Sequence, residues 1–124
     1  MDIINIEKLD GHKRIVLTGR DKNVRAIAKH LKAKLYYCPR DTDYYQDYPM
    51  IANELQKTLE CESGIVIITT QSKEFLDCLL ESNLDFILAT VCKNDYEDDV
   101  YRLRVVTKAY ALECRDAFNM EFRC

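Results

Sequence analysis

Lys13-Arg14-Ile15-Val16-Leu17-Thr18-Gly19-Arg20-Asp21 is the stretch that decides the fold. The apolar run up to Thr18 is consistent with a buried strand. It stops at Gly19, and Asp21 then caps a helix of about twelve residues. Val24, Ile27, Ala28 and Leu31 recur at helical spacing and form one apolar face. Lys22, Arg25, Lys29 and Lys32 recur at the same period and form a separate basic stripe. A strand, a turn and an amphipathic helix in that order open an α/β unit.

The same alternation continues in both directions. Upstream, Ile3, Ile4 and Ile6 suggest a short first strand, followed by a turn at Asp10-Gly11. Downstream, Leu35 to Cys38 reads as a strand halted by Pro39. Residues 39–48 read as a polar, tyrosine-rich loop, and Pro49 opens a helix to about Glu60, since a first turn tolerates a missing N–H. Ile65 to Thr70 is a wholly apolar, β-branched strand up to its threonines. Ser72 caps a helix bearing Phe75, Leu76, Leu79 and Leu80. Residues 84–92 and 99–106 read as two strands joined by the acidic loop Asn94 to Asp98, and Thr107 caps a last helix. Strands alternating with helices predict a single α/β domain over residues 1–124. Its expected form is three-layered, with a mostly parallel sheet, helices on both faces and a C-terminal β-hairpin plus helix. The hairpin is expected to extend the sheet with an antiparallel edge.

Totals exclude several function classes. The chain has 124 residues, 48% hydrophobic and 31% charged, a globular rather than disordered composition. No apolar run approaches the roughly 20 residues that span a bilayer, and the N-terminus lacks a basic region followed by an apolar core. The expectation is a cytoplasmic protein with no membrane association. Six cysteines at 38, 61, 78, 92, 114 and 124 form no C-x-x-C pair, and neither His12 nor His30 is near one in sequence. Reduced, mostly buried thiols are expected, with no metal site and no cofactor. Asp41, Asp43 and Asp47 have no glycine-bearing calcium-loop spacing. Net charge is −3 but uneven, with ten Lys/Arg against four Asp/Glu over residues 1–40 and eight against seventeen thereafter. Such asymmetry marks a basic contact face or two halves that attract each other.

Two motifs bear on chemistry. Gly19 lies where a phosphate-binding loop would begin. A working loop, G-x-x-x-x-G-K-[ST], needs a second glycine, a lysine and a hydroxyl, and those positions hold Val24, Arg25 and Ala26. The other motif is the strand end Thr69-Thr70-Gln71-Ser72 followed by Lys73-Glu74-Phe75-Leu76-Asp77.

That second segment resembles ABC-type ATPases of the SMC-like and overcoming-lysogenisation-defect group, in which a late buried strand ends in Thr-Thr-His-Ser. Asp99-Val100-Tyr101-Arg102-Leu103, Asn119-Met120-Glu121-Phe122-Arg123 and Asp47-Tyr48-Pro49 resemble other stretches of the same family. The resemblance implies that Gln71 replaces the histidine that senses the γ-phosphate. It also implies that the acidic Walker B pair would fall near Cys38 and Pro39. With only three glycines, the family's glycine-rich signature cannot be present. Gly19, Arg25 and Gln71 are then a degenerate nucleotide loop, and the chain is a shrunken, pseudo-ATPase-like relative.

The expected function is non-enzymatic: a protein–protein interaction or regulatory subunit with another protein as partner. Tyrosine offers apolar area and a hydroxyl to such a partner, so Tyr44, Tyr45 and Tyr48 are its candidate contacts. The alternative is a nucleic-acid-binding accessory protein using Lys22, Arg25, Lys29 and Lys32. Base stacking would also require aromatic residues near that helix; Tyr36, Tyr37, Tyr44, Tyr45 and Tyr48 follow in sequence, but acidic residues interrupt them.

Overall fold

Strand β2 (Arg14–Thr18) is buried from Ile15 to Thr18 and carries the middle of the sheet. A computed structural model describes residues 2–38, 47–93 and 100–114. The chain runs through β1 (Asp2–Ile4), a 3-10 turn (Ile6–Leu9), β2, α1 (Asp21–Leu31) and β3 (Lys34–Tyr37). It continues with α2 (Tyr48–Glu60), β4 (Val66–Thr69), α3 (Lys73–Glu81), β5 (Ile87–Lys93), β6 (Val100–Thr107) and α4 (Lys108–Glu113). The strands form one six-stranded sheet in the order β1-β6-β5-β2-β4-β3. β3, β4, β2 and β5 run parallel, β6 is antiparallel to β5, and β1 is parallel to β6.

Alternation along each strand divides the core between two faces. Ile15, Leu17, Ile67, Ala89 and Leu103 meet Val24, Ile27 and Ala28 of α1 and Leu9 of the 3-10 turn. Val16, Ile68 and Leu88 meet residues of α2 and α3, with Ala111 of α4 in the same cluster. The result is the expected three-layer α/β architecture with helices on both faces. Each fully buried leucine or isoleucine contributes roughly 1.5–3 kcal/mol by leaving water.

Several local expectations hold atom by atom. Ser72 Oγ accepts from the Phe75 N–H at 3.2 Å, and Thr107 Oγ1 accepts from the Tyr110 N–H at 3.1 Å, so both hydroxyls cap their helices. Pro49 lies in the first turn of α2. Three details differ. Ile6 belongs to the 3-10 turn rather than to β1. Asp21 is the first residue of α1 and Arg20 its cap, without a side-chain cap bond. The hairpin is not the sheet edge, because β1 pairs outside β6.

Two polar clusters fasten the sheet to α2. Arg14 donates to the carbonyls of Leu59 (3.0 Å), Glu62 (2.6 Å) and Gly64 (2.8 Å), as well as to that of Lys13 (2.9 Å). A guanidinium here satisfies orphan carbonyls at the end of α2 and opposes the negative end of its dipole. Glu62 in turn accepts from Lys34 Nζ at 2.7 Å and from the Tyr36 hydroxyl at 2.9 Å. The hydrogen bond from Lys34, then that from Tyr36, holds the Glu62 carboxyl below its usual range. The same contact with Glu62 holds Lys34 above its usual value.

Replacing Arg14 with alanine strips several carbonyls of their donor, and urea unfolding is expected to show a loss of about 1–3 kcal/mol. An unchanged midpoint would remove Arg14 from the list of fold determinants. The carboxyl of Glu62 is depressed, so its stabilisation is present above the unfolded value near pH ~4.3 and fades as pH falls through the lower folded value. Glu62→Gln is therefore expected to flatten the acid limb of the stability–pH curve, as read by thermal melts between about pH 3 and 6.

Candidate functional site

Gly19 terminates β2, and its geometry admits no other residue without strain. Its φ is +146°, and an added Cβ would stand 3.0 Å from Cβ of Val91 on β5. The parallel register aligns Leu17 with Thr69 of β4 and Thr18 with Thr90 of β5. The turns that follow β2 and β4 therefore meet at one end of the sheet. Gln71 Nε2 donates to the Gly19 carbonyl there, at 3.1 Å.

The N-terminus of α1 opens onto the same place. The N–H groups of Asn23 and Val24 both bond to the Arg20 carbonyl. Asp21 places a carboxylate in the first turn, where a helix favours negative charge. That carboxylate is held from two sides. Arg25 Nε lies 2.9 Å from Oδ2, and the Tyr37 hydroxyl donates to Oδ1 at 3.0 Å. Desolvation, then the bond to Asp21, raises the Tyr37 hydroxyl above its ordinary pKa.

Under this surface lies a layer of buried hydroxyls. Thr18 Oγ1 donates to Thr90 Oγ1 at 3.1 Å, and the Ser72 N–H donates to Thr70 Oγ1 at 3.0 Å. Thr18, Thr70, Ser72 and Thr90 are all at most 4% exposed. They close the end of the core rather than face an opening.

The three residues that the resemblance assigns to a nucleotide loop, Gly19, Arg25 and Gln71, are thus brought together only in part. Gly19 and Gln71 touch. Arg25 is turned onto Asp21, so its guanidinium neutralises a carboxylate of its own helix. A phosphate at this helix end would meet that carboxylate. Cys38, where the resemblance places the Walker B acids, is half-buried behind β3, and burial pushes its thiol up to about 12. A neutral thiol is a poor ligand for magnesium, which takes hard oxygen donors.

The tyrosine cluster separates. Tyr48 is 1% exposed and packs edge-to-face on Phe75, with ring centroids 5.3 Å apart. The expectation that it contacts a partner is corrected, because its ring belongs to the core. Tyr44 and Tyr45 lie outside the described residues. Tyr37, one of the tyrosines that follow the basic helix in sequence, is 60% exposed beside α1.

Lys22, Arg25, Lys29 and Lys32 are all exposed, as the stripe predicts. The cysteines are less enclosed and less uniformly reduced than expected: Cys38, Cys78 and Cys114 are half-buried free thiols, Cys61 is an exposed one, and Cys92 is disulfide-bonded. Among the described residues no three His, Cys, Asp or Glu side chains gather as metal ligands, and no helix is long and apolar enough to cross a membrane. A cleft of about 580 Å³ lies at the opposite end of the sheet, lined by His12, Lys13, Asp85 and Lys108 among others. Its Lys108 already donates to the carbonyls of Ser82 and Leu84. Compared with protein families, curated proteins and solved structures, the chain matches none.

Cys38 and Cys61 offer a chemical check on this end of the molecule. Alkylation follows the thiolate fraction and access. At pH 8 Cys61 is expected to label at least about tenfold faster than Cys38, as followed by peptide mass spectrometry of the native protein. Equal rates would place the Cys38 thiol in solvent.

Proposed function

We propose that this chain is a non-catalytic regulatory or protein–protein interaction subunit of pseudo-ATPase-like character. The observation that carries the reading is the closure of the strand-to-helix junction by the chain's own side chains. Gln71 bonds to Gly19, and the Asp21 carboxylate, clamped by Arg25 and Tyr37, occupies the charge-selective end of α1. The resemblance to the ATPase group supports the same reading, since it implies that Gln71 stands in a sensor position beside the phosphate loop. Each substitution there removes a catalytic element: a lysine, a magnesium-binding hydroxyl, an acidic pair and a histidine. A scaffold kept without them acts by binding. Tyr44 and Tyr45 are the proposed contacts with a protein partner.

Two measurements test this reading together. The purified chain with magnesium and ATP is expected to release no phosphate above background. Capture from native cells is expected to retain a protein partner after nuclease treatment. The double variant Tyr44→Ala, Tyr45→Ala is expected to weaken that partner about tenfold or more, the loss typical of hot-spot tyrosines. ATP turnover that Arg25→Ala abolishes would overturn the proposal.

A further inference from the structure

The exposed ring of Tyr37 borders the first turn of α1, whose outer face is basic. Lys22, Arg25 and Lys29 fall within about a sixth of a turn of one another around the helix, at 100° per residue, and Lys32 follows as its exposed C-cap. From Lys22 to Lys32 they extend about 15 Å along the axis. Arg25 is paired with Asp21, but Lys22, Lys29 and Lys32 form no ion pair among the described residues. Asp21 is the one carboxylate within α1, and Arg25 neutralises it. The 3-10 turn bearing Glu7 packs beside β6, and its Leu9 joins the core cluster beneath α1. Against the overall charge of −3, α1 and its C-cap carry four Lys/Arg and one carboxylate.

Tyr37 adds what a row of lysines lacks. β3 is the edge strand, and its last residue stands beside the first turn of α1. The hydroxyl bond to Asp21 fixes the ring while leaving the residue 60% exposed. An immobilised aromatic face next to a cationic track is the arrangement that binds single strands: cations follow the backbone, and the ring stacks on a base. A duplex keeps its bases stacked inside and cannot use such a ring. An acidic peptide could satisfy the lysines but would gain less from the aromatic face.

We propose that the face formed by Lys22, Lys29, Lys32 and Tyr37 binds single-stranded nucleic acid. It goes beyond the protein-partner reading and does not depend on it. The test is fluorescence anisotropy of the full chain with a labelled oligothymidylate of about 16 nucleotides, enough for one site of this kind. Binding at low salt is expected to weaken with a slope of log K against log salt near −2, about −0.7 for each of three lysines.

The triple variant Lys22→Ala, Lys29→Ala, Lys32→Ala is expected to bring that slope close to zero. Tyr37→Ala is expected to weaken binding about tenfold with the slope unchanged, within the range for one stacked base. Tyr37→Phe is expected to retain most of the affinity, since it keeps the ring and loses only the Asp21 bond. Matching thermal melts establish that each variant is folded. Absence of binding at low salt, preference for the duplex, full competition by polyglutamate, or a neutral Tyr37→Ala would each overturn the inference. A chain that keeps a nuclease-resistant protein partner and fails this assay loses the inference and retains the regulatory reading.

Discussion

The pairing of β2 between β4 and β5 is the constraint on which the rest of the structure depends. Ile15, Val16 and Leu17 are fully enclosed, and a strand buried on both faces needs a hydrogen-bonded neighbour on each side. The register of those neighbours then decides where every later turn emerges. Gly19, Gln71 and Val91 belong to three different segments of sequence, yet they share one end of the sheet because their strands are parallel to β2. The close approach of Val91 makes Gly19 a packing requirement as much as a turn. The glycine that the resemblance reads as the start of a phosphate loop therefore has a sufficient mechanical reason to be there.

The same end of the sheet shows how a helix N-terminus is made self-sufficient. Its exposed N–H groups and dipole favour an anion, and in this chain the anion is internal. Asp21 supplies it, Arg25 balances it one turn along, and Tyr37 reaches it from the edge strand. The buried hydroxyls are engaged within the chain: Thr18 donates to Thr90, Thr70 accepts from the Ser72 N–H, and Ser72 accepts from the Phe75 N–H and bonds to Tyr48 and Glu74. A closed junction of this kind is coherent with a scaffold that binds through its surface.

Local chemistry made most of the elements legible in the sequence. Continuous apolar β-branched runs marked β2 and β4, and Ser72, Thr107 and Pro49 marked helix starts, because caps and ring constraints act within a few residues. What the sequence withheld was long-range. Tyr48 sits beside a polar tyrosine-rich stretch, and only the approach of α3 shows that its ring meets Phe75. β1 pairs with β6, nearly a hundred residues away, and so displaces the hairpin from the edge. The pairing of Tyr37 with Asp21 depends on α1 crossing back over β4 to β3, which periodicity cannot reveal. The candidate site was accordingly legible as a set of residue types at Gly19, Arg25 and Gln71, but not as a closed junction.

The cations of the molecule divide by what they touch. Arg14 and Lys108 donate to backbone carbonyls near the ends of α2 and α3, while Lys34 and Arg25 meet carboxylates. Their charges are consumed by the fold, and removing any of them disturbs packing or caps first. Among the described residues Lys22, Lys29 and Lys32 have no such duty: Lys22 and Lys29 lie on the face of α1 opposite Val24, Ile27 and Ala28, and Lys32 is its exposed C-cap. Long cationic side chains held in water contribute little to stability. Helix propensity alone does not demand them either, because glutamate and glutamine would serve nearly as well at the same positions. Three uncommitted positive charges on one stripe, bordered by an anchored and exposed aromatic ring, are therefore better accounted for by what they attract than by what they stabilise.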